Sequence, residues 1–218
     1  MPRPEKIERS ELLRRATALF WDRGCDAVST RDLEAALGIR APALYRRFPS
    51  KDALLAQCLD DYVERVIKGR IRRHLDRAED PVEGLYAFFM STLDTHPSAP
   101  ERRGCLLAHT AAHSEAQIPE IRSAITRGWN HVEAGFKESV IRAQGMDLVD
   151  SSLDPDALAR ALFLSLMGLL ALTRVGKDDL RPAIEATFQI LRARTPEPQP
   201  PKPSPSDERG ANPRGATR

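Results

Sequence analysis

Cysteine is scarce in this 218-residue chain, and the three present, Cys25, Cys58 and Cys105, lie far apart, with neither disulfide-framework pairing nor metal-site spacing. A reduced thiol state and a cytoplasmic location are expected. Long apolar runs are missing as well. The longest stretch without a charge, 161–173, is 13 residues, short of the ~20 that span a bilayer. The first residues, MPRPEKIERSELLRR, hold charges where a secretion signal holds an apolar segment. Neither export nor a membrane partner is expected. Also absent are a phosphate loop, a nucleophile elbow, a metal cluster and a dinucleotide fingerprint, which argues against an enzyme.

What is present is the balance of a soluble globular protein, 41% apolar and 29% charged. The net charge of +2 conceals a division. Residues 1–51 carry 11 lysines and arginines against 7 acidic residues, and the remainder carries 22 against 24. The two parts therefore suit different partners. The apolar period is helical throughout, and the reading is an all-α fold of about nine helices. Leu12, Ala16, Leu19 and Phe20 mark the first helix, which Gly24 stops; Ser29 with Asp32 reads as a cap on the second. The fifth opens at Asp80 and Pro81, with Glu83 completing a capping box, and closes at His96 and Pro97. The eighth, near 154–175, is apolar almost all round. From 195 to 218 the tail holds seven prolines in 24 residues and is expected to be disordered. The expected domains are 1–51, 52–194 and the tail 195–218.

The stretch LGIRAPALYRRFPSKDALL places Pro42, Tyr45, Arg40, Arg46, Arg47 and Lys51 together without a carboxylate before Asp52. Two short helices, 29–37 and 41–47, around a turn at Gly38 have the dimensions of a helix-turn-helix, whose second helix enters the major groove of double-stranded DNA. Pro42 then falls harmlessly in a first turn. Ile39, Leu44 and Phe48 hold that helix on the domain, leaving Arg40, Ala41, Ala43, Tyr45, Arg46 and Arg47 to face DNA. Lys51, following the cap Ser50, suits a phosphate.

Residues 12–55, with a glycine after the first helix, a Ser/Thr-capped second helix, then "LGI", "LY", "F" and "K", resemble the N-terminal domain of the tetracycline-repressor (TetR) family of bacterial regulators. The resemblance implies phosphate contacts from Thr30, Tyr45 and Lys51, and base contacts from Arg31, Arg40, Ala41, Pro42 and Ala43. Arg40 stands where the family often has a small hydroxyl residue, which leaves the recognition helix without its usual N-cap. It further implies a homodimer on a palindromic operator, a small-molecule effector, and no cofactor. RRGCLLAHTAAHSE and the eighth-helix segment resemble family segments more loosely.

The expected dimer interface is Leu162, Leu166 and Leu170 on the eighth helix with Ile184, Phe188 and Leu191 on the ninth. The expected pocket, for a mostly apolar effector, is lined by Tyr62, Val66, Tyr86, Phe89, Met90, His109, His113, Trp129, Phe136 and Met167, each of which could equally be core. His109 and His113, one turn apart, lack a third ligand, so no metal is expected. Cys105 follows Arg102, Arg103 and Gly104 near a helix start, where a thiol can be activated. The functional expectation is a ligand-released repressor; the alternatives are a thiol-redox-responsive regulator acting through Cys105 and an enzyme using the helical pocket.

Overall fold

The computed structural model describes residues 7–93, 104–175 and 179–192. All secondary structure among them is helical: α1 (Arg9–Arg23), α2 (Thr30–Leu37), α3 (Ala41–Arg47), α4 (Lys51–Tyr62), α5 (Lys68–His74), α6 (Pro81–Met90), α7 (Leu106–Ala111), α8 (Pro119–Gly145), α9 (Pro155–Val175) and α10 (Arg181–Arg192). α4 and α5 are one rod, joined by a π turn at Val63–Ile67. The described residues thus form nine rods, as expected. His96, Pro97, Arg102, Arg103 and the 195–218 tail lie outside them.

The first three helices close over α4. Leu12, Ala16 and Phe20 of α1, Leu33 and Leu37 of α2, and Leu44 and Phe48 on α3 and its C-cap are all buried, against Leu54, Leu55 and Cys58 of α4. Each such leucine or phenylalanine contributes ~1.5–3 kcal/mol by leaving water. Burial also pushes the Cys25 and Cys58 thiols up to about 12.

α8 is the central strut of the larger part, packing on α4, α6 and α9. Its Phe136 meets Phe88 edge-on at 5.3 Å and stacks on Phe89 at 5.8 Å, while Phe188 of α10 meets Phe89 edge-on at 5.2 Å. Gly128 lets three helices touch: a methyl there would lie 2.4 Å from Leu107 Cδ1 of α7 and 2.8 Å from Val63 Cγ2 of the π turn. Asp80 caps α6 by accepting from the Val82 and Glu83 N–H groups at 2.8 and 3.1 Å. The Glu83 carboxylate faces Arg192 of α10 at 3.8 Å, so the capping box expected there is not formed.

The leucines expected at a dimer interface turn inward. Leu162, Leu166 and Leu170 are 3–4% exposed and sit inside the chain's own core with Ile184 and Phe188, while Leu191 is half-buried against it. A helix apolar all round carries two stripes, and α8 covers the leucine-rich one. The other stripe, Ala157, Ala161, Leu164, Gly168, Ala171, Leu172 and Val175, faces outward, with Leu164 at 64% and Val175 at 84% exposure. Ile190 of α10, at 74%, also faces outward.

Candidate nucleic-acid interface and ligand pocket

α2 begins with a complete capping box. Asp32 N–H donates to Ser29 Oγ at 3.2 Å, and Ser29 N–H donates to Asp32 Oδ2 at 2.9 Å. The Ser29 hydrogen bonds, aided by Arg23 at 2.9 Å, hold the Asp32 carboxyl below its ordinary pKa. Gly38 ends the helix at φ +68°, a left-handed conformation that a side chain resists.

α3 starts at Ala41 with Pro42 in its first turn, and the Arg40 side chain makes no cap. Glu34 supplies one instead: its Oε1 accepts the Ala41 N–H at 2.6 Å. This carboxylate joins the two helices across the turn. Sequence reasoning missed Glu34, because a cap seven residues upstream has no local signature and needs the turn geometry itself.

Expected DNA contacts fall into two groups. Arg31, Arg40, Pro42 and Arg46 are exposed, Ala41 and Ala43 are half-buried, and none of the three arginines pairs with a carboxylate among the described residues. The others are tied within the chain. Thr30 Oγ1 and Tyr45 Oη are hydrogen-bonded at 2.8 Å, linking the start of α2 to α3, and Arg47 Nη1 donates to the Ile7 carbonyl at 3.2 Å. Lys51 Nζ donates to the Cys25 and Val28 carbonyls at 2.9 and 3.2 Å. Two of its three N–H bonds therefore clamp the α1–α2 turn, and the role expected of it at a phosphate is at most a shared one.

Between α7, α8 and α9 lies a pocket of about 440 Å³, lined by Cys105, Ala108, His109, Ala112, His113, Trp129, Met167, Leu170 and Ala171. Of the ten residues expected at a pocket, His109, His113, Trp129 and Met167 line this one. The other six do not line it. Tyr62, Phe89 and Phe136 are buried in the core, Val66 and Met90 pack against it, and Tyr86 borders a separate groove beside α10. Core and pocket share the same aromatic stripes, so spacing cannot separate them. The cavity is left by small residues, Ala108, Ala112 and Ala171, where the expectation looked for large ones.

Tyr62 stands behind the pocket wall, its hydroxyl donating to Cys105 Sγ at 3.6 Å. Burial raises that phenol well above its usual pKa. His113 Nδ1 is 2.7 Å from the His109 carbonyl oxygen. Among the described residues no three His, Cys, Asp or Glu side chains are grouped to hold a metal ion.

The chain matches the family described as "Bacterial regulatory proteins, tetR family" over residues 12–58 and "Tetracyclin repressor-like, C-terminal domain" over 81–187. It is 26% identical over 175 residues to the HTH-type transcriptional repressor ComR of Escherichia coli (strain K12), covering 80% of this chain and 83% of that one. To the repressor DhaR of Mycobacterium sp. (strain GP1) it is 23% identical over 188 residues, covering 84% and 91%. Among solved structures, a cysteine mutant of the TetR family transcriptional regulator CifR, complexed with 26bp double-strand operator DNA, superposes with a TM-score of 0.73. The two are 28% identical, and the match covers 88% of this chain and 99% of that one. With both matched segments falling on the helix-turn-helix and the helical body described above, the chain belongs to the TetR family of bacterial transcriptional regulators.

Proposed function

We propose that the protein is a cytoplasmic, homodimeric repressor that reads a palindromic operator through α3 and releases it when an apolar small molecule fills the α7–α8–α9 pocket. The observation that carries the DNA reading is the exposed set Arg31, Arg40 and Arg46, without a carboxylate partner among the described residues, around a recognition helix held by Glu34 and Tyr45. Arginines in that position reach base edges and phosphates. The pocket's volume of about 440 Å³ and its alanine, methionine and tryptophan walls suit a drug-sized, mostly apolar ligand. The outward stripe of α9 with Ile190 of α10 is the face offered to a second copy.

The test is selection of DNA from a random pool by the purified protein, followed by affinity measurements on the selected palindrome. Arg40→Ala is expected to cost ~1–3 kcal/mol at one base pair of each half-site and to relax the preference there. An unchanged preference at every position would remove Arg40 from base reading.

A further inference from the structure

His109 and His113 border two cavities at once. On one side is the pocket of about 440 Å³; on the other is a void of about 10 Å³ whose far wall is Phe20, Gly24 and Cys25, at the end of α1. His109 is 8% exposed, and a methyl added at Gly24 would lie 3.7 Å from its Cε1. The imidazole is therefore packed on the turn that leads into the helix-turn-helix.

That turn is tied to the recognition helix. The Cys25 and Val28 carbonyls hold Lys51, Ser29 opens the capping box of α2, and Thr30 bonds Tyr45 on α3. Behind the ring, the void holds about one water-sized volume, too little to absorb a displaced side chain. Its floor includes Glu115, 6% exposed, whose Oε2 has no hydrogen-bond partner among the described residues. Close-packed interiors transmit displacement rather than take it up.

We propose that His109 is a positioning residue that couples the pocket to the DNA-binding helices directly, through the Gly24–Cys25 turn. The proposal rests on the pocket being the effector site and assigns how that site is read. A ligand lying against Ala108 and His109 pushes the imidazole onto the turn, and the turn carries Lys51 and the start of α2 with it. α7 has a second, separate route toward DNA at Gly128 of α8, which Leu107 of α7 and Val63 in the π turn of the long α4–α5 rod both crowd. The two routes use different side chains, so each can be removed alone.

The experiment fills the pocket in two independent ways. N-phenyl-1-naphthylamine serves as a neutral apolar probe, its occupancy read by Trp129 fluorescence in a Trp21→Phe background. Ala108→Phe serves as a built-in occupant, with Ala112→Phe, at an exposed wall position, replacing it if the first does not fold. Operator affinity is measured for each, alone and combined with His109→Ala, with His109→Phe as the variant that keeps a ring.

Filling the pocket is expected to weaken operator binding at least fivefold in the parent protein and in His109→Phe, and less than twofold in His109→Ala. Probe concentration is set separately for each variant so that Trp129 fluorescence reads equal occupancy, and operator affinity is compared at that matched filling. Full weakening in His109→Ala with the pocket demonstrably filled would overturn the proposal and assign the coupling to Leu107 and Val63. A filling variant that weakens operator binding with His109 present but not in His109→Ala, while the probe fails to bind, would retain His109 as the coupling residue and reject the apolar-ligand reading. Filled variants with parental operator affinity would reject His109 coupling outright.

Discussion

Glu34 and Lys51 decide how firmly the recognition helix is held, though neither belongs to its exposed arginines. Glu34 is the acceptor for the Ala41 N–H at 2.6 Å, so Glu34→Ala leaves a helix donor without its cap. The expected cost is ~1 kcal/mol of unfolding free energy in urea, with Glu34→Gln recovering most of it because an amide oxygen still accepts. Equal stabilities for Ala and Gln would show that the cap contributes nothing. Lys51 makes two charge-assisted bonds to carbonyls, and Lys51→Met keeps the stem while removing both. A loss of ~1.5–3 kcal/mol in stability is expected. The slope of log affinity against log salt should stay nearly parental, whereas Arg46→Ala should lower it by about one. Parental stability with a slope lowered by one would return Lys51 to the phosphate backbone. The contrast between these residues shows what a sequence discloses. Ser29 and Asp32 stand three apart on one helix, so their box is legible from spacing; Lys51 and Cys25 meet only because α1 and α4 pack together, and nothing local announces it.

On the scale of elements, α9 decides between core and interface. Its alternatives were symmetric in the sequence, since the helix is apolar almost all round, and only its packing on α8 selects Leu162, Leu166 and Leu170 as the inner stripe. Existence, order and the ends marked by a cap, proline or glycine were legible because those signals are local: Asp80 with Pro81, Pro119, and the Gly24 and Gly38 stops; α6, whose end was expected at His96 and Pro97, already stops at Met90. The facing of each helix was legible only where one side was polar. Predictions divide accordingly. Leu166→Glu places an unpaired carboxylate in the core and is expected to unfold the chain, a cost of several kcal/mol. Leu164→Glu, at a site 64% exposed, should leave helicity at the parental level while sedimentation shifts from dimer to monomer. A Leu164→Glu protein that still sediments as a dimer would move the interface off this stripe.

For the whole molecule, the proposed dimer couples the outward stripe and the recognition helix through symmetry. In that dimer a two-fold axis at α9 and α10 places two α3 helices at a fixed separation, and a pair of half-sites must match it by about one turn of B-DNA, ~34–36 Å, or a multiple. The pocket lies between these regions, sharing α9 with the outward stripe and His109 with the α1–α2 turn. A ligand there can therefore alter the separation or tilt of the two α3 helices without touching DNA. Differential binding of this kind amounts to ~1–3 kcal/mol, about 5- to 150-fold in operator affinity, and operator must weaken ligand binding by the same factor. The rigid-pair argument makes a prediction that needs no ligand. Inserting about five base pairs between the two half-sites of the selected operator turns one of them by roughly half a helical turn, away from its α3. Binding of the dimer should then fall to the level of a single half-site, while an insertion of about ten base pairs keeps the face and changes only the distance. Two half-sites read independently would bind all three spacings alike, and anisotropy titrations on the three duplexes at one salt concentration distinguish the cases. Leu164→Glu monomers supply the reference, since they should bind the parental and the five-base-pair operators with the same weak affinity.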